Sequence, residues 1–182
     1  MSTDPDRYAA VAQGFTDRLA GVTPDQWANA TPCPEWTVRD LVAHAIRTQR
    51  FLLASLGEVE AAEPDVDGDL VAQWSEATAA LLKAVNDDET AARSVQGVAG
   101  PIAFGSLVGG IGCSDTSLHT WDLARATGQD ESLDPEAVAH CDALLTGFGD
   151  TIRRPGAFGA ALPCDPDTDP QTKFLRLAGR SG

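Results

Sequence analysis

Each of the three histidines in this 182-residue sequence follows an acidic residue by four positions. The pairs are Asp40 and His44, Asp115 and His119, and Glu136 and His140. A spacing of four places both side chains on one face of an α-helix, where a carboxylate and an imidazole can bind the same divalent metal ion. Such pairs arise often by chance, so the spacing alone does not decide which of them does chemistry.

Two of the three acidic residues have a structural explanation. Asp40 occupies the third position of a helix that Thr37 would cap, a variant of the capping box. Glu136 follows Pro135 in the first turn of another predicted helix, where a negative charge interacts favourably with the helix dipole. We therefore expect Asp40 to be a capping residue and His140 to lie at the surface.

Asp115 is harder to explain by local structure. It lies in the stretch SDTSLHTWDLARATG (residues 114–128), which has the pattern of a buried helix. Ser114 is able to cap a helix that restarts there, but in one continuous helix Asp115 is an interior residue beside Ile111 and Leu118. A buried carboxylate without a partner costs several kcal/mol or loses its charge.

His44 lies on the inward stripe of its predicted helix, together with Leu41 and Leu52. A single inward histidine is more often a hydrogen-bonded core residue than a metal ligand. Two inward imidazoles and an inward carboxylate are a different case, because they can hold one ion and leave a coordination position for water or substrate. We therefore predict a metal site formed by His44, Asp115 and His119, a ligand set that suits zinc, nickel or iron.

The elements that would position these residues are helical, because apolar residues recur at intervals of three and four along most of the chain. The pattern predicts helices over about residues 5–20, 37–56, 70–85 and 101–123, a fifth helix that begins at Asp134, and a mainly extended tail with one or two final helical turns. Pro101 is expected in the first turn of the fourth helix, and the residues before it are expected to form an irregular connection. Within the fourth helix, Gly105, Gly109, Gly110 and Gly112 predict either a break or a very close neighbour.

Composition excludes several classes of partner. The chain has 27 acidic and 13 basic residues and a formal net charge of −14, so nucleic acid and anionic membranes should be repelled. The N-terminal stretch MSTDPDRYAA has neither a basic start nor an apolar run, so we expect no leader segment, and we expect no apolar run long enough to span a membrane. We expect one domain over residues 1–182 and a cytoplasmic protein with a small-molecule substrate. A homodimer stays open.

The four cysteines do not form a metal-binding or redox motif. Cys33, Cys113, Cys141 and Cys164 are widely spaced, without a CxxC pair, and we expect reduced thiols. Cys113 and Cys141 fall in apolar helical stretches and should behave as small hydrophobic residues. The role of Cys33, which lies in a turn, stays open.

Several segments resemble a known family. The segments are TPCPEWTVRDLVAHAI (31–46), DTSLHTWDLARATGQ (115–129), RPGAFGAALP (154–163) and a final LAGR. They are similar to segments of actinobacterial proteins related to the N-terminal domain of mycothiol-dependent maleylpyruvate isomerase, within the DinB-like metalloenzyme superfamily. The resemblance covers almost the whole chain.

The resemblance implies an all-α fold: a DinB-like four-helix bundle with a long crossover, an additional helix and a mainly extended C-terminal tail. It also implies a divalent metal bound by His44, Asp115 and His119. The isomerase typically has Glu at the carboxylate position, so Asp115 is a departure from the family pattern. The shorter side chain of Asp115 is expected either to shift the metal toward the fourth helix or to leave a water between the metal and the carboxylate. The isomerase also has a further C-terminal domain that this shorter chain is not expected to have, so its particular reaction is not transferred.

The leading functional expectation is an enzyme that binds zinc, or nickel or iron, and activates mycothiol or a related thiol toward a small electrophile, as an S-transferase or isomerase. A second hypothesis is a metal-dependent hydrolase or cyclase in which water is the nucleophile. The third is a non-catalytic metal- or ligand-binding domain. Turnover without a thiol would distinguish the second hypothesis from the first.

Several residues near the predicted ligands have expected roles outside metal binding. Asp122 lies near the same helical face as Asp115 and can either orient a ligating histidine or tie neighbouring helices together. Trp36 is expected to act as a hydrophobic staple rather than as a substrate platform. Solvated helix faces are the expected positions of Arg47, Arg50 and Arg125.

Overall fold

The computed structural model describes residues 4–153 and 160–181. Its helices are α1 (Asp4–Ala20), α2 (Val38–Ala54), α3 (Leu70–Val85), α4 (Asp88–Ala92), α5 (Phe104–Leu107), α6 (Cys113–Thr127), α7 (Pro135–Phe148) and α8 (Pro170–Leu177). Short 3₁₀ turns occupy Gln26–Ala28 and Gly149–Ile152, and two strands, β1 (Ser94–Gly97) and β2 (Gly100–Ala103), form a hairpin. The first six residues of the 154–163 segment that contributes to the family resemblance lie outside the described residues.

Four helices form the bundle that carries the site. α1 packs against α3 and α6, and α2 packs against the same two helices. The chain reaches α6 from α3 through a long crossover that contains α4, the hairpin and α5. α7 packs against α6 and also holds α8. The predicted all-α, DinB-like architecture is confirmed.

Local sequence signals explain the start of α2, the helix that carries His44. The Thr37 side chain accepts a hydrogen bond from the backbone N–H of Asp40, and the Asp40 carboxylate accepts one from the N–H of Thr37. This is the predicted capping box, so Asp40 is a capping residue. α2 ends two residues earlier than predicted, and α3 has the predicted bounds.

The segment before the fourth predicted helix is not irregular, and this expectation was wrong. Residues 88–92 form α4, and β1 and β2 pair in antiparallel fashion with Gln96 opposite Pro101. Pro101 therefore lies in a strand, and the helix begins at Phe104. Each strand of a two-stranded sheet has only one neighbour, so a proline without an N–H donor is tolerated there. Strands of four residues are also too short to produce a clear alternation.

The glycine-rich stretch forms a π-helical segment, Val108–Gly112, between α5 and α6. The neighbours are close, as predicted: a Cβ at Gly112 would lie 3.3 Å from side-chain atoms of Tyr8, Leu52 and Val108. A Cβ at Gly110 would lie 3.3 Å from a terminal methyl of Leu144. The absence of side chains here lets α1, α2 and α7 approach the helix that leads into Asp115.

The described part of the C-terminal tail is non-helical at first and ends in a short helix, as predicted. After residue 160 the chain runs without regular structure to Asp169, which caps the two-turn helix α8. The buried Phe174 and Leu175 anchor α8 to the core. Within the described part of the chain, no helix combines the length and apolarity that crossing a bilayer requires.

Candidate metal centre

The structure brings the three predicted ligands together. The Nε2 atom of His44 lies 3.1 Å from Oδ1 of Asp115, and Nε2 of His119 lies 3.6 Å from the same oxygen. The two imidazole ring centres are 4.9 Å apart, with the rings nearly perpendicular. One donor atom from each residue lies within 4.8 Å of the others. We call His44, Asp115 and His119 the His/Asp/His cluster.

Two packed helices create this arrangement. α2 supplies His44, and α6 supplies both Asp115 and His119, which are one turn apart. His119 is almost completely buried, with 7% of its side chain exposed, whereas 24% of His44 and 20% of Asp115 are exposed. His119 thus lies in the core, whereas His44 and Asp115 are partly accessible to solvent.

Opposite charges within the cluster keep Asp115 ionised and His119 protonated when no cation is bound. Burial by itself would raise the pKa of Asp115, but His119 and His44 more than offset it and hold that pKa below its usual range. Burial would likewise lower the pKa of His119, but Asp115 and the hydrogen bond to Asp122 raise it to about 10. The His119 proton therefore occupies the place that a cation would take.

Among the residues that the structure describes, one atom of the cluster has no hydrogen-bond partner. Oδ2 of Asp115 is buried and makes no hydrogen bond, although leaving a buried polar atom unpaired costs free energy. Two imidazole nitrogens and a carboxylate oxygen are ligands that zinc accepts, and three protein ligands are the usual number in a catalytic zinc site. The residues therefore fit a divalent metal ion.

Asp122 contacts both His119 and the C-terminal segment. Its Oδ2 lies 3.0 Å from Nδ1 of His119, so Nδ1–H can donate to it and Nε2 is left facing Asp115. The same carboxylate, which is completely buried, accepts hydrogen bonds of 2.9 Å from Nε and Nη2 of Arg180. Burial would raise the pKa of Asp122, but the bonds from His119 and Arg180 more than offset it and hold the value at about 2.

Cys33 joins the same network. Its buried thiol donates to Oδ2 of Asp122 at 3.3 Å, and its sulfur lies 3.2 Å from Nη2 of Arg180. Cys33, His119 and Asp122 form a second group with metal-ligand spacing. Because the Arg180 guanidinium already pairs with both oxygens of Asp122, a cation there would be repelled, so this group supports the first one.

Arg180 and Cys33 are the residues that sequence reasoning missed at this site. Arg180 is 58 positions from Asp122, and Cys33 is 89 positions from it. No periodic pattern connects such distant positions. Both residues lie in segments that carry the family resemblance, Cys33 in TPCPEWTVRDLVAHAI and Arg180 in the final LAGR, but the resemblance assigned neither of them a role.

Trp36 contacts the cluster directly. Its indole ring centre lies 4.7 Å from that of His44 and 5.9 Å from that of His119. The predicted staple role does not include this contact. The half-buried indole ring therefore packs beside both imidazoles.

The third histidine is not part of the cluster. The expectation of a surface position for His140 was wrong, because it is half-buried and its Nε2 lies 3.0 Å from the carbonyl oxygen of Gly109. Cys113 and Cys141 have the predicted character of small core residues. Both are buried free thiols, and burial raises their pKa values.

The three arginines considered above make contacts with loops and neighbouring side chains. Arg47 pairs with Glu63 at 2.7 Å, and Arg50 donates to the carbonyl oxygen of Glu63 at 3.1 Å. Arg125 pairs with Glu131 and lies over the ring of Trp121. These contacts agree with solvated helix faces.

Comparisons with known proteins show the family of the chain. The sequence profile of the mycothiol maleylpyruvate isomerase N-terminal domain family matches residues 8–124. Uncharacterized proteins from two strains of Mycobacterium tuberculosis, CDC 1551 / Oshkosh and ATCC 25618 / H37Rv, are each 31% identical over 177 residues, which is 92% of either chain. No solved structure matches the chain significantly. The chain belongs to the mycothiol maleylpyruvate isomerase N-terminal domain family, with its DinB-like fold.

Proposed function

We propose that this protein is a metal-dependent enzyme that activates a low-molecular-weight thiol, with mycothiol as the first candidate, toward a small electrophile. His44, Asp115 and His119 would hold the metal ion, for which zinc is the first choice and nickel or iron are alternatives. The observation that carries the proposal is the convergence of two imidazoles on one half-buried carboxylate, whose buried Oδ2 has no hydrogen bond within the described structure. The name of the family supplies the link to mycothiol.

A divalent metal in such a site lowers the pKa of a bound thiol or water and so provides a nucleophile at neutral pH. The protein contributes the position of the ligands. Asp122 fixes the ring of His119 through Nδ1, so that Nε2 points to the cluster. An imidazole held in this way is a better ligand than a freely rotating one.

The surroundings of the cluster favour a small, partly apolar reactant. Trp36 packs beside both imidazoles, while His44 and Asp115 keep about a fifth to a quarter of their side chains exposed. The Thr48 hydroxyl lies 3.5 Å from Nε2 of His44, at the exposed side of the cluster. We expect a thiol to approach the cluster at these partly exposed side chains.

The proposed reaction forms a bond between the thiol sulfur and an electrophilic carbon of the second reactant. The thiol proton goes to solvent or to a basic group. In a transfer, a leaving group departs with the bonding electron pair. In an isomerisation, the sulfur–carbon bond breaks again after rotation about the weakened carbon–carbon bond, so the thiol is recovered.

Thiol consumption by the zinc-loaded chain tests the proposal. Mycothiol is mixed with a panel of electrophiles that includes monochlorobimane, and conjugates are followed by fluorescence and mass spectrometry. We expect conjugate formation by the wild type and by His140→Ala, in which the third histidine is removed, and only the uncatalysed rate with His119→Ala. Isomerisation is followed separately by the change in substrate absorbance.

Other results would direct attention to the other two hypotheses. Turnover without any thiol would indicate hydrolysis or cyclisation with water as the nucleophile. Zinc binding without thiol binding or turnover of any reactant in the panel would contradict the proposal and indicate a non-catalytic binding domain.

A further inference from the structure

Arg180 is a component of the metal centre in an unexpected place. It follows the last helix of the described chain, 56 residues beyond the end of the family match at residue 124. Its guanidinium makes two bonds of 2.9 Å to the Asp122 carboxylate, one to each oxygen. Paired bonds of this kind fix both the distance and the plane of the carboxylate.

The backbone of the C-terminal segment holds Arg180 in position. The N–H of Arg180 bonds to the carbonyl oxygen of Leu175 at 2.8 Å, and the N–H of Gly179 bonds to that of Arg176 at 3.0 Å. With Gly179 at φ +82°, this is a Schellman motif at the end of α8. The backbone of Arg180 is therefore fixed by the hydrogen bonds of this turn.

The burial of Asp122 makes the guanidinium necessary for the geometry. The carboxylate has no exposed surface, and a buried charge without a counter-charge is strongly unfavourable. Its Oδ2 faces Nδ1 of His119 at 3.0 Å as well as Nη2 of Arg180. The orientation of the His119 ring thus depends on a carboxylate whose own orientation is set by Arg180.

We propose that Arg180 is a positioning residue of the metal site: through Asp122 it holds His119 with Nε2 directed at the cluster, and it makes the C-terminal segment part of the metal centre. This inference rests on the proposed metal site. The Cys33 thiol, which contacts both Arg180 and Asp122, closes the network on its other side.

Arg176 provides a matched control. It is a half-buried arginine within α8, four residues before Arg180, but its Nη1 bonds to the carbonyl oxygen of Pro163 instead of to Asp122. A general loosening of α8 would affect both arginines alike. An effect through Asp122 would be specific to Arg180.

The test is the zinc affinity of full-length Arg180→Met, Arg180→Lys and Arg176→Met, measured by competition with a chromophoric chelator. Circular dichroism of each metal-free variant reports the fold, and the visible spectrum with Co²⁺ reports the ligand geometry. We expect Arg180→Met to weaken zinc binding by about 10–100-fold and to alter the cobalt spectrum. Arg180→Lys should lie between it and the wild type, since lysine keeps the charge but not the paired bonds. Arg176→Met should bind as the wild type does.

Each other outcome overturns the inference in a recognisable way. Wild-type zinc affinity in a folded Arg180→Met would reject the role of Arg180 but leave the proposed function intact. A loss of zinc affinity in Arg176→Met equal to that in Arg180→Met would have the same consequence. If Arg180→Met does not fold, Arg180→Lys decides, and an affinity and cobalt spectrum equal to those of the wild type would reject the positioning role. A wild-type chain that binds no zinc removes the proposed function together with this inference.

Discussion

Asp115 is the residue on which the proposed metal site depends. Its Oδ1 faces both imidazoles, while its buried Oδ2 has no hydrogen bond to any described residue. Helical periodicity predicted that His44, Asp115 and His119 face the same interior, and the structure brings their donor atoms within 4.8 Å. A supporting role for Asp122 was also predicted from the helical spacing, but its contacts with Arg180 and Cys33 were not, because these residues meet Asp122 only through tertiary packing.

Zinc binding should release a proton from His119. The pKa of His119 is about 10 in the metal-free protein, so at neutral pH the imidazole is protonated, and the proton must leave before Nε2 can bind a metal. Zinc affinity should therefore rise about tenfold per pH unit between pH 6 and 9 and level off above pH 10. Calorimetry in two buffers of different protonation enthalpy measures the released protons. An affinity that does not change over this range would contradict the displacement of a proton from His119 by the metal.

At the scale of elements, local signals were sufficient for the long helices and insufficient for the crossover. The capping box of α2 involves Thr37 and Asp40, three positions apart, and could be recognised directly. The hairpin could not, because its four-residue strands contain glycine and proline, and the buried Val95 anchors it through tertiary contacts. Pro101 was consequently placed in a helix.

The π-helical segment gives a prediction about packing between elements. Gly112→Ala should destabilise the fold by about 1–3 kcal/mol, because the added methyl meets side chains of three different segments at 3.3 Å. Gly110→Ala is the matched control, since its methyl meets only the movable end of Leu144. It should be neutral or slightly stabilising. Urea unfolding of the metal-free variants measures the difference, and equal stabilities would contradict the packing argument.

At the scale of the whole molecule, zinc should stabilise the bundle because its ligands come from two helices, α2 and α6, that are separated by the long crossover. The net charge of −14 also favours the approach of a cation. A ligand at 100 times its Kd adds about 2.7 kcal/mol of stability, which should raise Tm by roughly 5–11 °C in a chain of this size. Differential scanning calorimetry with and without zinc checks this. The shift should vanish in His44→Ala, and a shift of the same size in that variant would place the zinc elsewhere.

The most direct test of the central claim is the metal content of the purified chain after zinc loading and removal of free metal. We expect one zinc per chain in the wild type and in His140→Ala, and loss of stoichiometric zinc in His44→Ala, in Asp115→Ala and in His119→Ala. A wild type without zinc, or a full complement of zinc in any of those three variants, would contradict the His/Asp/His site.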